Sequence, residues 1–296
     1  MANSHVIVQL GSQVVLAGTC GEYEPLLRYV RSPGEVFDKD TMLRLFRTWL
    51  QDPLMVNNSE TDVLVIENLL IPMEKKRWFY QMFRQDIGVR SVTFIPDVLT
   101  SLVAGGVRDG LVIDIGWEHS IVAPIYDFRI LDYHLQVSVK GGANLTNEIK
   151  RVCSADTDII ELLNSLWNHN SHDENTEKVR MLIDHEFIGQ RDATKFDLDD
   201  FPIVSMVWKV FENLALDVRK KLRSNVVITG LPSECVGLRV RLREALSPDF
   251  DIVHTLGPWA GGSLYWEQML ESLPFNESMD NQEPNDWHLQ RFRVHK

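Results

Sequence analysis

The sequence predicts an α/β protein with two domains. Short apolar runs of strand length alternate with segments in which apolar residues recur at helical spacing, a pattern typical of this class. The chain has 296 residues, 44% of them hydrophobic, so it can bury a large core, and its length favours two domains over one. Two strand pairs joined by glycine turns, at Gly11 and Gly116, also give it an internal repeat.

The first hundred residues predict a hairpin followed by alternating helices and strands. Asp40 is the expected N-cap of the first helix, Pro72 opens the second, and Gly105-Gly106 closes the third. The aromatic residues of the second helix, Trp78 among them, are expected to be core rather than a docking stripe. The predicted strands are 6–10, 14–16, 63–66 and 92–95, and the predicted helices are 40–50, 73–84 and 97–103.

The remaining chain predicts a second sheet and further helices. The polar stretch 168–175 is expected to be an exposed loop, and the polar tail 275–285 is expected to be mobile. Trp287, Leu289 and Phe292 suggest a terminal helix that packs on its own domain, with a partner contact as the alternative. The predicted strands are 111–113, 121–124, 130–137 and 226–228, and the helices are 143–152, a broken helix over 201–222, 235–246 and 259–270.

Composition limits the classes of function. With 30 basic and 42 acidic residues the formal net charge is −12, which argues against general binding to nucleic acid or to anionic membranes. The apolar runs are too short to span a bilayer, and no secretory signal pattern begins the sequence. Three widely spaced cysteines favour a reducing compartment, so we expect a cytoplasmic protein. His169, His172 and Asp173 are interpreted as part of a solvated loop rather than a metal site.

The two glycine turns are the segments most suited to ligand chemistry. Val8–Gln13 and Ile113–Glu118 share a pattern in which a strand, a polar residue, a hydrophobe and a glycine lead into a returning strand. Consecutive N–H groups in such a turn can bind an anion, and a strand-end aspartate can bind magnesium through its waters. Ordinary β-hairpins also use glycine, so the turns alone favour a structural role.

A third segment, in colinear order with the two hairpins, gives a resemblance to the actin family. The segments VIVQLGSQVVLAG and GLVIDIG with SIVAPIY resemble its two phosphate hairpins, and VVITGLP resembles its adenosine-binding strand. GGANLT (141–146) and WAGGS (259–263) resemble the starts of the helices that follow. The resemblance implies an actin-like fold of two RNase-H-like halves around a cleft. The first half would comprise 1–104 and 264–296, and the second 105–263, with a reduced outer lobe at 143–200.

The resemblance also implies a nucleotide cleft built on Gly11, Ser12, Asp114, Gly116 and Gly230. No catalytic residue and no metal ligand are assigned, and no cofactor is required. ATP or ADP with magnesium is kept as an alternative ligand.

Several residues depart from the family pattern at this cleft. Gln9 replaces an aspartate, Leu16 a phosphate-binding lysine, Asp97 a water-positioning glutamine and Ile121 a histidine, while Trp117 and Glu118 replace a small polar turn. Together they favour loss of ATPase activity, because hydrolysis needs an oriented water and stabilised charge.

The lengths of two connections imply a function. Between Glu22 and Val63 the chain is much shorter than in the family, which implies that most of the first outer lobe, at the pointed end, is missing. Between Thr146 and Phe201 the outer lobe of the second half is likewise expected to be reduced. This pattern is most similar to the actin-related proteins that cap the pointed end of the filament in dynactin, the cofactor of dynein. The implied partners are actin-like filament subunits, through the barbed face, and other pointed-end subunits. The alternatives are a subunit of a nuclear chromatin-remodelling complex and a small ATPase or kinase of the same fold.

Overall fold

The computed structural model describes residues 4–31, 38–153, 174–192, 196–197 and 199–272. The chain divides into two compact units, one containing Met1–Ala104 and the chain from Pro258 onward, the other Gly105–Gly257. The sequence places the return to the first unit at residue 264, whereas the structure places it at Pro258. The reason is that Trp259 and Gly261 already pack on the first unit, against Gly18 and Thr100.

The described chain contains runs of consecutive strands or helices and stretches in which strands and helices alternate. The strands are β1 (Ser4–Leu10), β2 (Val14–Thr19), β3 (Leu27–Val30), β4 (Thr61–Glu67), β5 (Ser91–Pro96), β6 (Gly110–Ile115), β7 (Ser120–Tyr126), β8 (Arg129–Ile130), β9 (Gln136–Ser138), β10 (Val226–Thr229) and β11 (Ile252–Val253). The α-helices are α1 (Lys39–Gln51), α2 (Met73–Gln81), α3 (Asp97–Ala104), α4 (Gly142–Val152), α5 (Glu174–Leu182), α6 (Ile203–Asn213), α7 (Leu216–Arg223), α8 (Val236–Leu246) and α9 (Gly257–Ser272).

The first unit is built on a sheet with the strand order β3-β2-β1-β4-β5. β1 runs antiparallel to β2 and parallel to β4, and β4 runs parallel to β5. A core that includes Phe46, Phe79, Met82 and Phe83 packs with β1 and β4, and Trp78 packs against it. The expectation that the aromatic residues of the second helix are core is therefore confirmed.

The second unit repeats this arrangement. Its sheet has the order β11-β10-β6-β7-β8, with β9 also paired to β7. β6 runs antiparallel to β7 and parallel to β10, as β1 does to β2 and β4. The core combines these strands with the buried sides of α4, α5, α6 and α8. The duplicated topology explains the internal repeat in the sequence.

Several element boundaries differ from the sequence-based prediction for identifiable reasons. The N-cap of α1 is Asp38 rather than Asp40, because Asp38 Oδ1 accepts the Thr41 N–H at 2.7 Å. The segment 130–137 is not one strand, since β8 and β9 pair with β7 separately around a 3₁₀ turn at Asp132–His134. The predicted break within 201–222 is confirmed, because Leu214 and Ala215 are extended between α6 and α7.

Some predictions fall at the limits of the described chain. α5 begins at Glu174, inside the stretch predicted as a loop, while His169, His172 and Asp173 lie outside the described residues. The tail 275–285 and Trp287, Leu289 and Phe292 also lie outside them. Among the helices that the structure describes, none has the length and apolar character needed to cross a bilayer.

Candidate functional site

The candidate residues fall into two groups, one in each unit. Gly11 and Ser12 lie in the turn between β1 and β2 of the first unit. Asp114 and Gly116 lie at the end of β6 and in the turn that follows, and Gly230 follows β10 in the same unit. Because β10 and β6 are parallel neighbours, the structure brings Asp114 and Gly230 together.

The turn between β1 and β2 depends on glycine for steric reasons. The Gly11 N–H donates to the Val14 carbonyl at 2.9 Å, and a Cβ at Gly11 would lie 2.6 Å from that oxygen. Across the hairpin, Gln9 is paired with Leu16. At the tip, the N–H groups of Ser12 and Gln13 meet no acceptor within the part of the chain that the structure describes. Two adjacent N–H donors of this kind suit a small anion.

The turn between β6 and β7 has the same geometry. The Gly116 N–H donates to the His119 carbonyl at 2.9 Å, and a Cβ at Gly116 would lie 2.7 Å from that oxygen. Asp114 is paired with Ile121, as Gln9 is with Leu16. The two hairpins therefore share their register and their reason for a glycine, although their side chains differ.

Trp117 has a role that the sequence reasoning missed. A Cβ at Gly142 would lie 2.7 Å from the Trp117 ring and 2.9 Å from Pro232 Cγ. The first N–H groups of α4 also form hydrogen bonds with the hairpin. The Gly142 N–H donates to the Gly116 carbonyl at 2.9 Å, and the Ala143 N–H donates to the Trp117 carbonyl at 2.8 Å. Because Gly141 and Gly142 have no side chains, α4 packs closely on the hairpin. This glycine pair is the sequence feature from which the contact with Trp117 could have been predicted.

Asp114 and Gly230 form the most constrained part of the second group. Gly230 has φ +95°, and a Cβ there would overlap the Ile115 carbonyl and lie 2.7 Å from Asp114 Oδ1. Asp114 is buried, and its removal from water raises the pKa of its carboxyl group to about 6. This carboxyl group therefore gains a proton in mildly acidic solution, where an exposed aspartate remains ionised.

In the first hairpin, Gln9 occupies the position equivalent to Asp114, and both Gln9 and its cross-strand partner Leu16 are neutral. Gln9 and Leu16 are both half-buried, and Gln9 Oε1 is fully buried with no donor among the described residues. Magnesium-ATP needs cations for its phosphates and ionised carboxylates for its metal. Gln9 and Leu16 supply neither, and Glu118 in the second hairpin is an exposed acid. The described chain also contains no cluster of three or more His, Cys, Asp or Glu side chains placed to hold a metal.

Asp97 and Ile121 occupy structural positions. Asp97 Oδ1 accepts the Val98 N–H at 2.8 Å, and Asn68 Nδ2 donates to Asp97 Oδ2 at 3.3 Å, so the carboxylate is held at the start of α3. Ile121 is buried within the sheet.

The duplicated sheets and the paired glycine hairpins define an α/β protein with an actin-like fold. The sequence model of the family described as Actin matches residues 8–187, which is more than half of the chain, and the chain belongs to the actin family. Gly11, Ser12, Asp114 and Gly116 lie within the matched segment, and Gly230 lies beyond it.

Two relatives from Saccharomyces cerevisiae show the range of similarity within this family. The chain is 23% identical over 233 residues to "Actin-like protein ARP10", and the aligned region covers 78% of this chain and 73% of that protein. It is 27% identical over 125 residues to "Centractin", and the aligned region covers 42% of this chain and 33% of that protein. The similarity to an actin-like protein thus extends over most of the chain, and the similarity to centractin over less than half of it.

Proposed function

We propose that this protein is a non-catalytic actin-related subunit that caps the pointed end of the short actin-like filament of dynactin. In this role it supports dynein-driven transport in the cytoplasm, as part of the cytoskeleton. The observation that carries the proposal is the connection between β3 and α1, which consists only of residues 31–38.

The short connection leaves no chain for an outer lobe at this point of the first unit. The resemblance to actin implies a lobe here, at the pointed end of the subunit. Instead the chain passes within a few residues to α1, whose Met42, Phe46 and Leu50 are buried in the core. Actin-like filaments grow by head-to-tail contacts that do not close on themselves. A subunit that keeps one contact surface and lacks the other joins such a filament and ends it.

The side chains of the hairpins support a role without catalysis. Gln9 and Leu16 bring no charge to a metal or a phosphate, and the first N–H groups of α4 are already bonded to the second hairpin. Stabilising the transition state of phosphoryl transfer requires placed charges, so these changes remove what hydrolysis needs. ATP or ADP with magnesium is therefore not required, although the free N–H groups at the hairpin tip leave room for an anion.

The relatives support the choice of partner. One is an actin-like protein similar over most of this chain, and the other is named centractin. The partners we propose are actin-like filament subunits, contacted through the barbed face, and other pointed-end subunits of dynactin. The net charge of −12 agrees with a protein that contacts neither nucleic acid nor membrane directly.

The test of this proposal is purification of the tagged full chain from its own cells, followed by cross-linking mass spectrometry and electron microscopy of the labelled complex. We expect a short actin-like filament with the label at one end only, and cross-links to dynactin subunits. Recovery with nucleosome-remodelling subunits, or a label distributed along the filament, would refute the proposal.

ATP turnover provides a separate test of the non-catalytic role. We expect no release of phosphate above the buffer rate when the purified protein is incubated with magnesium-ATP, because Gln9 and Leu16 bring no charge to a metal or a phosphate. An actin sample treated identically serves as the positive control. Phosphate release that disappears in Asp114→Ala would show that the protein is an ATPase.

A further inference from the structure

One surface of α8 combines exposed valines with arginines that form no ion pair with a described residue. The opposite side of this helix is core, with Leu238, Leu242 and Leu246 fully buried. Val236, Arg239, Val240 and Arg243 follow the spacing i, i+3, i+4 and i+7, so they form one stripe along the helix. Val236 is 70% exposed and Val240 41% exposed.

The arginines of this stripe differ from their neighbour Arg241. Arg241 is bonded to Asp184, with a nitrogen–oxygen distance of 2.7 Å, and to Glu244 at 2.6 Å. Neither Arg239 nor Arg243 forms an ion pair with a residue that the structure describes. Arg239 Nε donates to the Ser233 carbonyl at 3.0 Å, which holds its guanidinium group in place. Like charges at i and i+4 repel each other in the absence of an anion.

The edge of the second sheet extends this stripe. Arg239 and Arg243 line a shallow, open depression together with Ile252 and His254. β11 is the last strand of the sheet on this side. Leu256, two residues beyond His254, is 60% exposed. Val236, Arg239, Val240, Arg243, His254 and Leu256 are called the α8–β11 surface below.

We propose that the α8–β11 surface binds an acidic amphipathic segment of a partner protein. Two arginines one helical turn apart match two carboxylates at the same spacing, and the guanidinium group binds carboxylates through paired hydrogen bonds. The exposed valines and Leu256 provide apolar contacts for the other side chains of the segment. This inference concerns residues outside the hairpins and does not depend on the capping function.

The chemistry of the surface favours a peptide over a nucleic acid. A polyanion such as DNA or RNA gains affinity from many phosphate contacts, whereas this surface offers only two neighbouring arginines. Phosphates also gain nothing from the two valines, whereas an amphipathic peptide buries them. Docking of apolar side chains at helical spacing is a common mode of peptide recognition.

The test uses a synthetic helical peptide that carries Glu and Leu at the spacing i, i+3, i+4 and i+7, and measures its binding to the full chain by fluorescence anisotropy. We expect saturable binding that weakens as the salt concentration rises. Arg239→Glu with Arg243→Glu should weaken binding by at least about tenfold, since both paired charges are reversed. An oligonucleotide of similar charge should bind more weakly than the peptide.

A charge exchange separates recognition from a loss of folding. The double variant should bind a second peptide, in which every Glu is replaced by Lys, more tightly than the wild type does. The single variant Arg243→Glu should reproduce part of both effects, and Arg243 has no described partner whose loss would unfold the protein.

A matched control variant tests whether the effect is specific to the α8–β11 surface. Lys75→Glu with Arg77→Glu changes two exposed charges of α2 in the first unit by the same amount, and it should leave the affinity unchanged. The proposal is wrong if the acidic peptide does not bind with saturation, or if this control loses affinity equally. It is also wrong if the oligonucleotide binds more tightly, or if the charge exchange gives no gain.

Discussion

Gly230 combines a backbone conformation that favours glycine with a close approach of the neighbouring strand. Its φ is +95°, in the region that side chains disfavour, and the space for a Cβ is taken by the Ile115 carbonyl. Gly21 has a similar φ of +92°, but no atom lies within 4 Å of the position of its Cβ. Substitutions at the two glycines can therefore be compared to distinguish the free-energy cost of the backbone angle from the cost of steric overlap.

We predict that Gly230→Ala lowers the free energy of unfolding by about 2–4 kcal/mol, because strain and overlap add. Gly21→Ala should lower it by about 1 kcal/mol, from the backbone angle alone. Urea unfolding of both variants measures the difference. Equal losses would show that the approach of Ile115 and Asp114 to Gly230 is unimportant.

The buried carboxyl group of Asp114 makes stability depend on pH. Its pKa is about 6 in the folded protein against 3.8 for an exposed aspartate, so folding favours the protonated form. Between these values the folded state binds the proton and the unfolded state does not. Stability from this group is therefore present below pH 4 and is lost as the pH rises through 6.

We predict that Asp114→Asn makes the protein more stable than the wild type at pH 7, by up to about 3 kcal/mol, because an amide has no charge to desolvate. The difference should shrink between pH 6 and pH 4 as the wild-type carboxyl group gains its proton. Urea unfolding at several pH values tests this. A difference that does not change with pH would mean that the Asp114 pKa is ordinary.

Among the elements, α2 and β4 are joined by a buried ion pair. Lys76 Nζ lies 2.6 Å from Glu67 Oε1, and both side chains are almost fully buried. The ammonium group also lies 4.9 Å from the centre of the Phe94 ring on β5. A pair in such surroundings is costly to break from one side, because the remaining charge stays buried.

We predict that Lys76→Met alone lowers the free energy of unfolding by about 3–5 kcal/mol. The double variant Lys76→Met with Glu67→Leu should be much less affected, since no buried charge remains. The neighbouring exposed residue provides a control, and Lys75→Met should change stability by less than about 0.5 kcal/mol. If the losses measured for Lys76→Met and for Glu67→Leu as single variants simply add in the double variant, the pair is not coupled.

The sequence predicts those elements whose pattern depends on local chemistry. β4 and β6 are buried along their whole length and contain the apolar runs 63–66 and 111–113. β3 was missed because it is an edge strand that alternates between half-buried and exposed residues, with no apolar run. α5 was missed because its sequence is polar. The final turn of the second predicted helix became a π-helix, Met82–Ile87, which local propensity does not indicate.

The candidate site likewise has features that local sequence predicts and features that only the folded structure reveals. The glycine turns are predictable, since a hairpin that needs Gly11 or Gly116 is visible in the sequence. The packing of Trp117 against Gly142 and Pro232 is not, because it joins three segments far apart in the chain. The raised pKa of Asp114 likewise depends on burial that only the folded unit creates.

At the scale of the whole molecule, the capping role makes a prediction about assembly. The purified protein alone should not form filaments under salt conditions that polymerise actin, because residues 31–38 leave no chain for the missing lobe. Sedimentation and electron microscopy measure this, with actin as the positive control. Filaments of the pure protein would contradict the capping role.

The late position of α9 in the chain has a consequence for biosynthesis. All five strands of the first sheet lie before residue 97, yet Gly262 of α9 packs against Leu64 and Ile66 of β4. The ribosome must first make the whole of Gly105–Gly257, which takes about 8–30 s at about 5–20 residues per second. During that interval this part of β4 lacks its cover. The nascent chain therefore displays an apolar surface on which chaperones can act until α9 emerges.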